Sequence, residues 1–126
     1  MTGSPGLQEN GGRVAYHAGL AAENQVARLY VRSGREIAAR RWRGSGGEID
    51  LIARDGAEVI FIEVKKSRTH AQAAQHLTPR QIARIYDTAA EFLGGEPRGQ
   101  ATDVRFDVAL VDQFGRIEVR ENVFAA

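Results

Sequence analysis

The sequence GEIDLIARDGAEVIFIEVKKS, residues 47–67, decides the predicted fold and the predicted site. It contains two apolar runs rich in β-branched residues, which predict two β-strands, and an Asp-Gly pair between them that is typical of a tight hairpin turn. Each run also carries charge where an ordinary core strand would not. Asp50 lies in the first run, and Glu63 and Lys65 lie in the second. The stretch therefore predicts a hairpin with charged groups built into it.

The hairpin predicts which side chains share a face. A two-residue turn centred on Asp55 and Gly56 would place Asp50 opposite Phe61, and would make Asp50 and Glu63 diagonal neighbours with Cα atoms roughly 7–8 Å apart. Because side chains alternate along a strand, one face would be wholly apolar and the other would become charged away from the turn. The apolar face would consist of Ile49, Leu51, Ile60, Ile62 and Val64. The opposite face would consist of Glu48, Asp50, Val59, Phe61, Glu63 and Lys65.

The charged face predicts a metal site. Two carboxylates at this separation repel each other when both are ionised, and a hard cation relieves that repulsion. Mg²⁺ is commonly held by one or two carboxylates together with water and phosphate oxygens, and Mn²⁺ is a substitute for it. Lys65 would project on the same side and could orient a water or balance charge on a phosphate. The spacing favours this site over the alternative, in which Glu63 and Lys65 form an exposed ion pair and Asp50 is a separate surface acid.

The rest of the chain predicts an α/β domain of the mixed α+β kind, with the order αβββαβ and a mixed central sheet flanked by helices. Residues 1–12 read as a disordered leader, and residues 13–126 as one domain. The predicted elements are a helix over 14–33, strands over 36–43, 48–53 and 58–66, a mobile loop over 69–78, a helix from Pro79 to about Leu93, and two strands, or one strand and a short tail, within 103–122.

Composition excludes several classes of protein. The chain has no Cys, so neither a disulfide framework nor a thiolate metal site is available, which suits a reducing cytoplasm. No apolar run is long enough for a membrane span or a signal peptide, so we expect a cytoplasmic protein without a membrane partner. The three histidines lack the spacing of a zinc site.

The charge is unevenly distributed. Net charge is only +1, but basic residues cluster in 35–44 and 65–84, which predicts either a phosphate-binding surface or a solvated charged face. Lys65 and Lys66 are the only lysines among 17 basic residues. Trp42, inside the first basic cluster, is interpreted either as a base-stacking residue or as a core aromatic.

Four segments together resemble the YraN family, small bacterial proteins within the PD-(D/E)XK nuclease superfamily. They are GLAAENQVARLYVRSG (19–34), the hairpin stretch (47–67), RFDVALV (105–111) and NVFAA (122–126). The resemblance covers nearly the whole chain after residue 12. It implies a restriction-endonuclease-like fold, as in the Holliday-junction resolvases, and a metal-dependent endonuclease that hydrolyses nucleic-acid phosphodiester bonds.

The resemblance also implies roles for individual residues. Asp50 and Glu63 would bind Mg²⁺, and the backbone carbonyl of Val64 would be a further ligand. Lys65 would be the catalytic lysine. Glu23, on the first helix, matches an acid that members of the superfamily often add to the site.

Other positions match the family less closely. Glu48 matches the acidic position before the aspartate and would either lie behind the metal ligands or pair with an arginine. The family usually has Lys or Arg two residues after the catalytic lysine, where this chain has Ser67, and often a Lys near the start of the second helix, where it has Arg80. The candidate nucleic-acid contacts are Arg41, Arg43, Lys66, Arg68 and Arg80.

The expected partner is nucleic acid, with DNA favoured over RNA and branched DNA suggested by the junction-cutting relatives. A homodimer would suit such a substrate because two active sites must meet two strands. Two alternatives stay open. The chain could be a non-catalytic nucleic-acid-binding module that keeps the shape of the site, or an accessory protein whose exposed strand pairs with a partner.

Overall fold

The computed structural model describes residues 19–123. The predicted leader, the first residues of the predicted first helix and the end of the NVFAA segment lie outside the described residues. Within them, no helix is long and apolar enough to cross a membrane.

Two helices lie between the third and fourth strands of the chain. Helix α1 occupies residues 19–32, followed by strands β1 (Glu36–Arg43), β2 (Glu48–Asp55) and β3 (Glu58–Lys66), helices α2 (His70–Gln75) and α3 (Pro79–Leu93), and strands β4 (Val104–Val111) and β5 (Ile117–Arg120). A short 3₁₀ turn, Gly99–Ala101, precedes β4.

The five strands form one mixed sheet in the order β1-β2-β3-β4-β5. Every neighbouring pair is antiparallel except β3 and β4, which are parallel. A parallel pair needs a crossover connection, and α2 and α3 supply it. The predicted mixed α/β class and restriction-endonuclease-like core are therefore confirmed. Helix α2 is an addition to the αβββαβ order, and β5 is the second of the two strands that the sequence left open within 103–122.

Helices cover both faces of the sheet, which explains why the central strand β3 reads as a continuous apolar run. One layer of the core lies beneath α1 and the other beneath α3. The buried residues of the α1 layer are Ala22, Val26, Ala27, Tyr30, Leu51, Ala53, Ile60, Ile62, Ala109 and Val111. Those of the α3 layer are Ile49, Ile52, Val59, Phe61, Ile85, Ala89, Leu93 and Phe106.

Threonine caps begin both crossover helices. The Thr78 hydroxyl accepts a hydrogen bond from the Gln81 N–H, with Pro79 at the first helical position, as predicted for α3. The predicted mobile loop over 69–78 is wrong, because residues 70–75 form α2. The Thr69 hydroxyl caps that helix by accepting from the Gln72 N–H. Ala73 is buried against β4, so a small apolar face stabilises a segment that looks polar in sequence.

The hairpin register differs from the predicted one. Asp55 lies opposite Glu58, so the turn residues are Gly56 and Ala57 rather than Asp55 and Gly56. Gly56 has φ 60°, a left-handed conformation that glycine adopts without strain and that a type II′ turn requires at its first central position. The loop still has two residues, so each pairing partner moves by two positions and the faces are kept. Asp50 consequently comes opposite Glu63 instead of Phe61.

A second difference lies where β1 pairs with β2. Arg40 lies opposite Leu51 and Trp42 opposite Ile49, and the intervening Arg41 has φ 49°. This left-handed residue turns the strand over, so its two neighbours face opposite sides of the sheet. Ile49, the partner of Trp42 on β2, packs in the α3 layer and not with Leu51 as predicted, so the alternation of β2 is also interrupted, at Asp50. The Trp42 and Phe92 rings pack edge to face in that layer, with their centroids 5.4 Å apart. Trp42 is therefore a core aromatic, one of the two interpretations made from the sequence.

A buried aspartate joins α1, β4 and the segment after β5. The Asp107 carboxylate is fully buried and accepts hydrogen bonds from the Tyr30 hydroxyl at 2.7 Å and from the Asn122 N–H at 3.0 Å. The Arg105 guanidinium forms two further bonds to it at 2.9 and 3.0 Å. Burial and the Asp107 carboxylate raise the pKa of Tyr30 far above its usual range. The carboxylate thus holds three segments together.

We expect Asp107→Asn to lower the free energy of unfolding by about 2–3 kcal/mol, because the Arg105 charge loses its buried partner. The measurement is the shift of the urea midpoint. Asp103→Asn, at an exposed position just before β4, is the control and should shift it by less than about 0.5 kcal/mol. Equal midpoints for the two variants would contradict the assigned role of Asp107.

Candidate active site

The candidate site lies where β2 and β3 separate. Their ladder runs from the turn to the pair Leu51 and Ile62. Beyond that pair, the Val64 N–H donates to the Asp50 carboxylate at 2.8 Å, and the Asp50 N–H lies 3.5 Å from a Glu63 carboxylate oxygen. Side-chain oxygens thus occupy positions that backbone carbonyls fill elsewhere in a ladder. The two carboxylates are brought together across the gap, directly opposite rather than diagonal.

Both acids are shielded from water. Glu63 is 4% exposed, and Asp50 is partly buried. Burial, followed by the nearby charge of Asp50, raises the pKa of Glu63 to about 8. Burial also raises the pKa of Asp50 to about 6, against the lowering effect of its bond from the Val64 N–H. Without a cation, the pair therefore retains a proton near neutral pH.

Lys65 lies on the same face as Glu63, as predicted. Its Nζ atom is 3.8 Å from a Glu63 carboxylate oxygen, and its side chain is 15% exposed. The ammonium lowers the pKa of both acids but does not offset the effect of burial. The alternative of an exposed ion pair is wrong, because neither partner is exposed. Lys65 is a partly buried cation placed beside the acid pair.

Two further acids approach Asp50, and each is held by an arginine. The negative charges of Glu23 and Glu48 both raise the pKa of Asp50. Arg41 binds Glu23 through two bonds of 2.9 and 3.2 Å, and Arg43 binds Glu48 at 3.1 Å. The two arginines predicted as nucleic-acid contacts therefore bind acids of the site. The pairing of Glu48 with an arginine is one of the two interpretations of Glu48 from the sequence, and Arg43 is its cross-strand partner, whereas the sequence carried no signal for the pairing of Arg41 with Glu23.

The other predicted nucleic-acid contacts are solvent-exposed. Lys66 ends β3 and Arg68 follows it, so both continue from Lys65 along the same edge of the sheet. Arg80 is exposed in the first turn of α3. Lys66 projects from the opposite face of β3 to Lys65, and Arg68 follows the end of the strand.

A glycine-rich turn fixes the beginning of β2. The Ser45 N–H and hydroxyl both donate to the Glu91 carboxylate on α3, the hydroxyl at 2.6 Å. A Cβ atom on Gly44 would lie 2.9 Å from an oxygen of that carboxylate, so a larger residue there would require the Glu91 side chain to shift. The Gly44 N–H also donates to the Gly47 carbonyl at 2.8 Å. This turn anchors the chain to α3 just before Glu48 and Asp50.

The donor set fits a hard cation and does not fit zinc. Among residues 19–123, no three His, Asp or Glu side chains are grouped closely enough to hold a metal ion. Structural zinc requires four protein ligands and catalytic zinc three, whereas Mg²⁺ is often bound through one or two carboxylates. The facing carboxylates of Asp50 and Glu63 meet that smaller requirement. The burial of like charges there gives a physical reason for a cation to bind.

The chain matches the model of a protein family described as Uncharacterised protein family UPF0102, over residues 22–111. The chain belongs to this family. The match runs from α1 to the end of β4 and includes the four acids of the site, which are Glu23, Glu48, Asp50 and Glu63. It confirms the resemblance to the YraN family.

Curated members of the family align over most of their length. A UPF0102 protein of Cereibacter sphaeroides strain KD131 is 70% identical over 115 residues, which cover 91% of this chain and 98% of that protein. One from Ruegeria pomeroyi is 60% identical over 107 residues, covering 85% and 87%. One from Dinoroseobacter shibae is 44% identical over 112 residues, covering 89% and 84%.

The raised pKa of Glu63 predicts that Glu63→Gln stabilises the metal-free protein. The pKa rises from 4.5 to about 8 on folding, so the folded state binds more protons in this window and wild-type stability falls as the pH rises through it. The variant lacks this penalty. Its advantage should be small at pH 5 and reach on the order of 2 kcal/mol at pH 8.5.

Urea unfolding at the two pH values, with a chelator present, measures the effect. Glu58→Gln is the matched control, because Glu58 lies at the turn end of the same strand. It should show no gain that grows with pH. A destabilised Glu63→Gln protein at pH 8.5 would mean that the acid pair carries no repulsion.

Proposed function

We propose that the protein is a metal-dependent nuclease that hydrolyses phosphodiester bonds in nucleic acid. The observation that carries the proposal is the buried, facing pair of Asp50 and Glu63 with the Lys65 ammonium beside it. Two carboxylates that resist joint ionisation and an adjacent cation suit a reaction in which a metal and a phosphate meet.

Asp50 and Glu63 would hold Mg²⁺, with the Val64 carbonyl as a further ligand. When bound, the metal polarises the scissile phosphate and lowers the pKa of an attacking water. The Val64 N–H fixes one oxygen of Asp50 and leaves the other available, so the carboxylate keeps its orientation. Partial burial limits the freedom of Lys65, whose ammonium can position the water or balance charge that develops on the phosphate.

Exposed cations would bring the substrate to this centre. Lys66 and Arg68 follow Lys65 at the same edge and can contact phosphates on either side of the scissile one. DNA is the favoured substrate. We expect the protein to act in the cytoplasm. Two copies of the chain would present two sites to a branched junction.

A second candidate function is metal-independent nucleic-acid binding. The observation that favours it is the capture of Glu23 and Glu48 by Arg41 and Arg43, which leaves a site of only two available acids. A binding module of this kind would take up no divalent metal at the acid pair. Metal titration therefore separates the two functions.

We expect Asp50→Asn, Glu63→Gln and Lys65→Met each to reduce cleavage on the order of 100-fold or more, since each removes a group from the reacting centre. Branched, flapped and single-stranded DNA would be incubated with Mg²⁺ or Mn²⁺, and products counted on denaturing gels. Glu58→Gln, on the same strand, should cut like the wild type. Cleavage that persists in Asp50→Asn protein would locate the activity elsewhere.

Manganese binding should strengthen as the pH rises. The raised pKa values of Asp50 and Glu63, about 6 and about 8, mean that protons compete with the metal below them. Affinity should therefore rise by up to about tenfold per pH unit between pH 6 and 8, with protons released on binding. Calorimetry in two buffers with different ionisation enthalpies measures both quantities. No binding heat at pH 8, or heat that remains in Glu63→Gln protein, would rule out this metal site.

A further inference from the structure

The turn between β4 and β5 presents an aromatic ring to solvent. Phe114 is 70% exposed, more than any other large hydrophobic side chain in the described residues. The turn itself is well fixed, because the Asp112 carboxylate accepts from the Phe114 and Arg116 N–H groups, both at 2.9 Å. His70 on α2 holds it from one side, with Nε2 2.9 Å from the Arg116 carbonyl oxygen. The ring is thus displayed by an ordered turn and has no role in the core.

The surroundings of the ring are cationic. The Arg116 guanidinium carbon lies 5.3 Å from the centroid of the Phe114 ring. Next to the turn is a cleft to which α1 contributes Arg28 and Arg32, four residues apart and so on one face of the helix. None of the residues lining the cleft is acidic. They are Gln25, Arg28, Arg32, Gly115 and Ile117.

The nearest acids along the chain are already engaged. Asp112 uses one carboxylate oxygen for the two N–H groups of the turn. Glu118 binds Arg120 at 2.7 Å and lies 3.5 Å from the imidazole of His70. The charge of the Asp112 carboxylate still acts on Arg116, but no acidic side chain lines the cleft beside Arg28 and Arg32.

The turn lies at the same end of the central strands β3 and β4 as the candidate active site. Strands β3 and β4 are parallel and end together, with Lys66 opposite Val111. Just beyond, the Gln113 N–H donates to the Arg68 carbonyl at 3.3 Å. Phe114 is the next residue. Residues 66–68 therefore connect the strand that carries the acid pair to the turn that carries Phe114, and the side chains of Lys66 and Arg68 are exposed there.

We infer that this surface, made of Phe114, Arg116, Arg28 and Arg32, binds an unpaired nucleotide of a nucleic acid. The base stacks on the Phe114 ring, and the arginines bind the flanking phosphates. An exposed ring among arginines is the combination used by single-strand-binding surfaces, because every base has a face that can stack. Its place next to the acid pair rests on the proposed nuclease function, but the binding itself requires no metal.

The same chemistry selects the form of the substrate. In a duplex, each base is covered by its neighbours and cannot stack on a protein side chain without leaving the helix. The surface therefore favours single strands, flaps and the unpaired arms of branched DNA over continuous duplex. A backbone running from the arginines past Arg68 and Lys66 would carry the paired or cleaved portion towards Lys65.

The test is fluorescence anisotropy with a labelled single-stranded oligonucleotide and the matching duplex, with a chelator present. Phe114→Leu keeps an apolar side chain and removes the aromatic face, so single-strand affinity should fall roughly 5- to 100-fold while duplex affinity changes little. Arg116→Gln should weaken binding and lessen its salt dependence. Arg98→Gln, an exposed arginine preceding the 3₁₀ turn, matches the charge change and should have little effect.

A second variant provides a direct signal. Trp42 is the only tryptophan of the chain and lies in the α3 layer, so Phe114→Trp adds one exposed indole. That variant should bind the single strand at least as tightly as the parent, and base stacking should quench its added fluorescence. Phe114 makes no core contact, so circular dichroism should show both Phe114 variants folded.

The outcomes separate the two proposals. Unchanged single-strand affinity in Phe114→Leu, or a Phe114→Trp indole that is not quenched, would overturn the stacking surface. A Phe114→Leu protein that loses only self-association would overturn it too and assign the ring to a protein contact. If the single strand binds as expected but no Mn²⁺ binds the acid pair, the nuclease proposal fails while the stacking surface stands.

Discussion

The hydrogen bond from the Val64 N–H to the Asp50 carboxylate is the contact on which the site depends. It forms where β2 and β3 stop pairing through their backbones, and it replaces a ladder bond with a side-chain bond. The strands can therefore part without leaving a buried N–H unsatisfied, which would cost free energy. The same bond orients Asp50 towards Glu63. One hydrogen bond thus satisfies the backbone where the strands part and also orients a side chain of the site.

The site is held against the preferences of its own residues. Asp50 and Glu63 are partly deprived of water and repel each other, and Arg41 adopts a left-handed backbone conformation that is uncommon for residues other than glycine. Neighbouring structure fixes all three: the apolar layers behind the strands, the Ser45–Glu91 anchor before β2, and the Arg41–Glu23 pair. Backbone strain and electrostatic repulsion that persist in a buried place are typical of functional sites.

Sequence reasoning predicted the hairpin, α3 and the shared face of Asp50, Glu63 and Lys65, because a period of two and a Thr-Pro helix start are local signals. It misplaced the turn by one residue, since Asp-Gly and Gly-Ala can both occupy a two-residue loop and only tertiary packing chooses between them. It assigned Ile49 to the wrong layer because alternation assumes a regular strand, and β2 is irregular between Ile49 and Leu51, next to the left-handed Arg41 of β1. The ion pair of Arg41 and Glu23 joins residues 18 positions apart, and no local pattern predicts it, whereas Arg43 and Glu48 are cross-strand partners.

Helix α1 is attached to the sheet by polar contacts at two levels. Glu23 binds Arg41 near one end, and Tyr30 binds Asp107 near the other. These residues are seven positions apart, about two helical turns, so both attachments lie on the same side of the helix roughly 10 Å apart. The apolar α1 layer holds the helix on the sheet, and the two polar contacts oppose its rotation and sliding there. Arg28 lies between these two contacts along the helix. Its position beside the neighbouring cleft is therefore fixed by the contacts of α1 with the sheet.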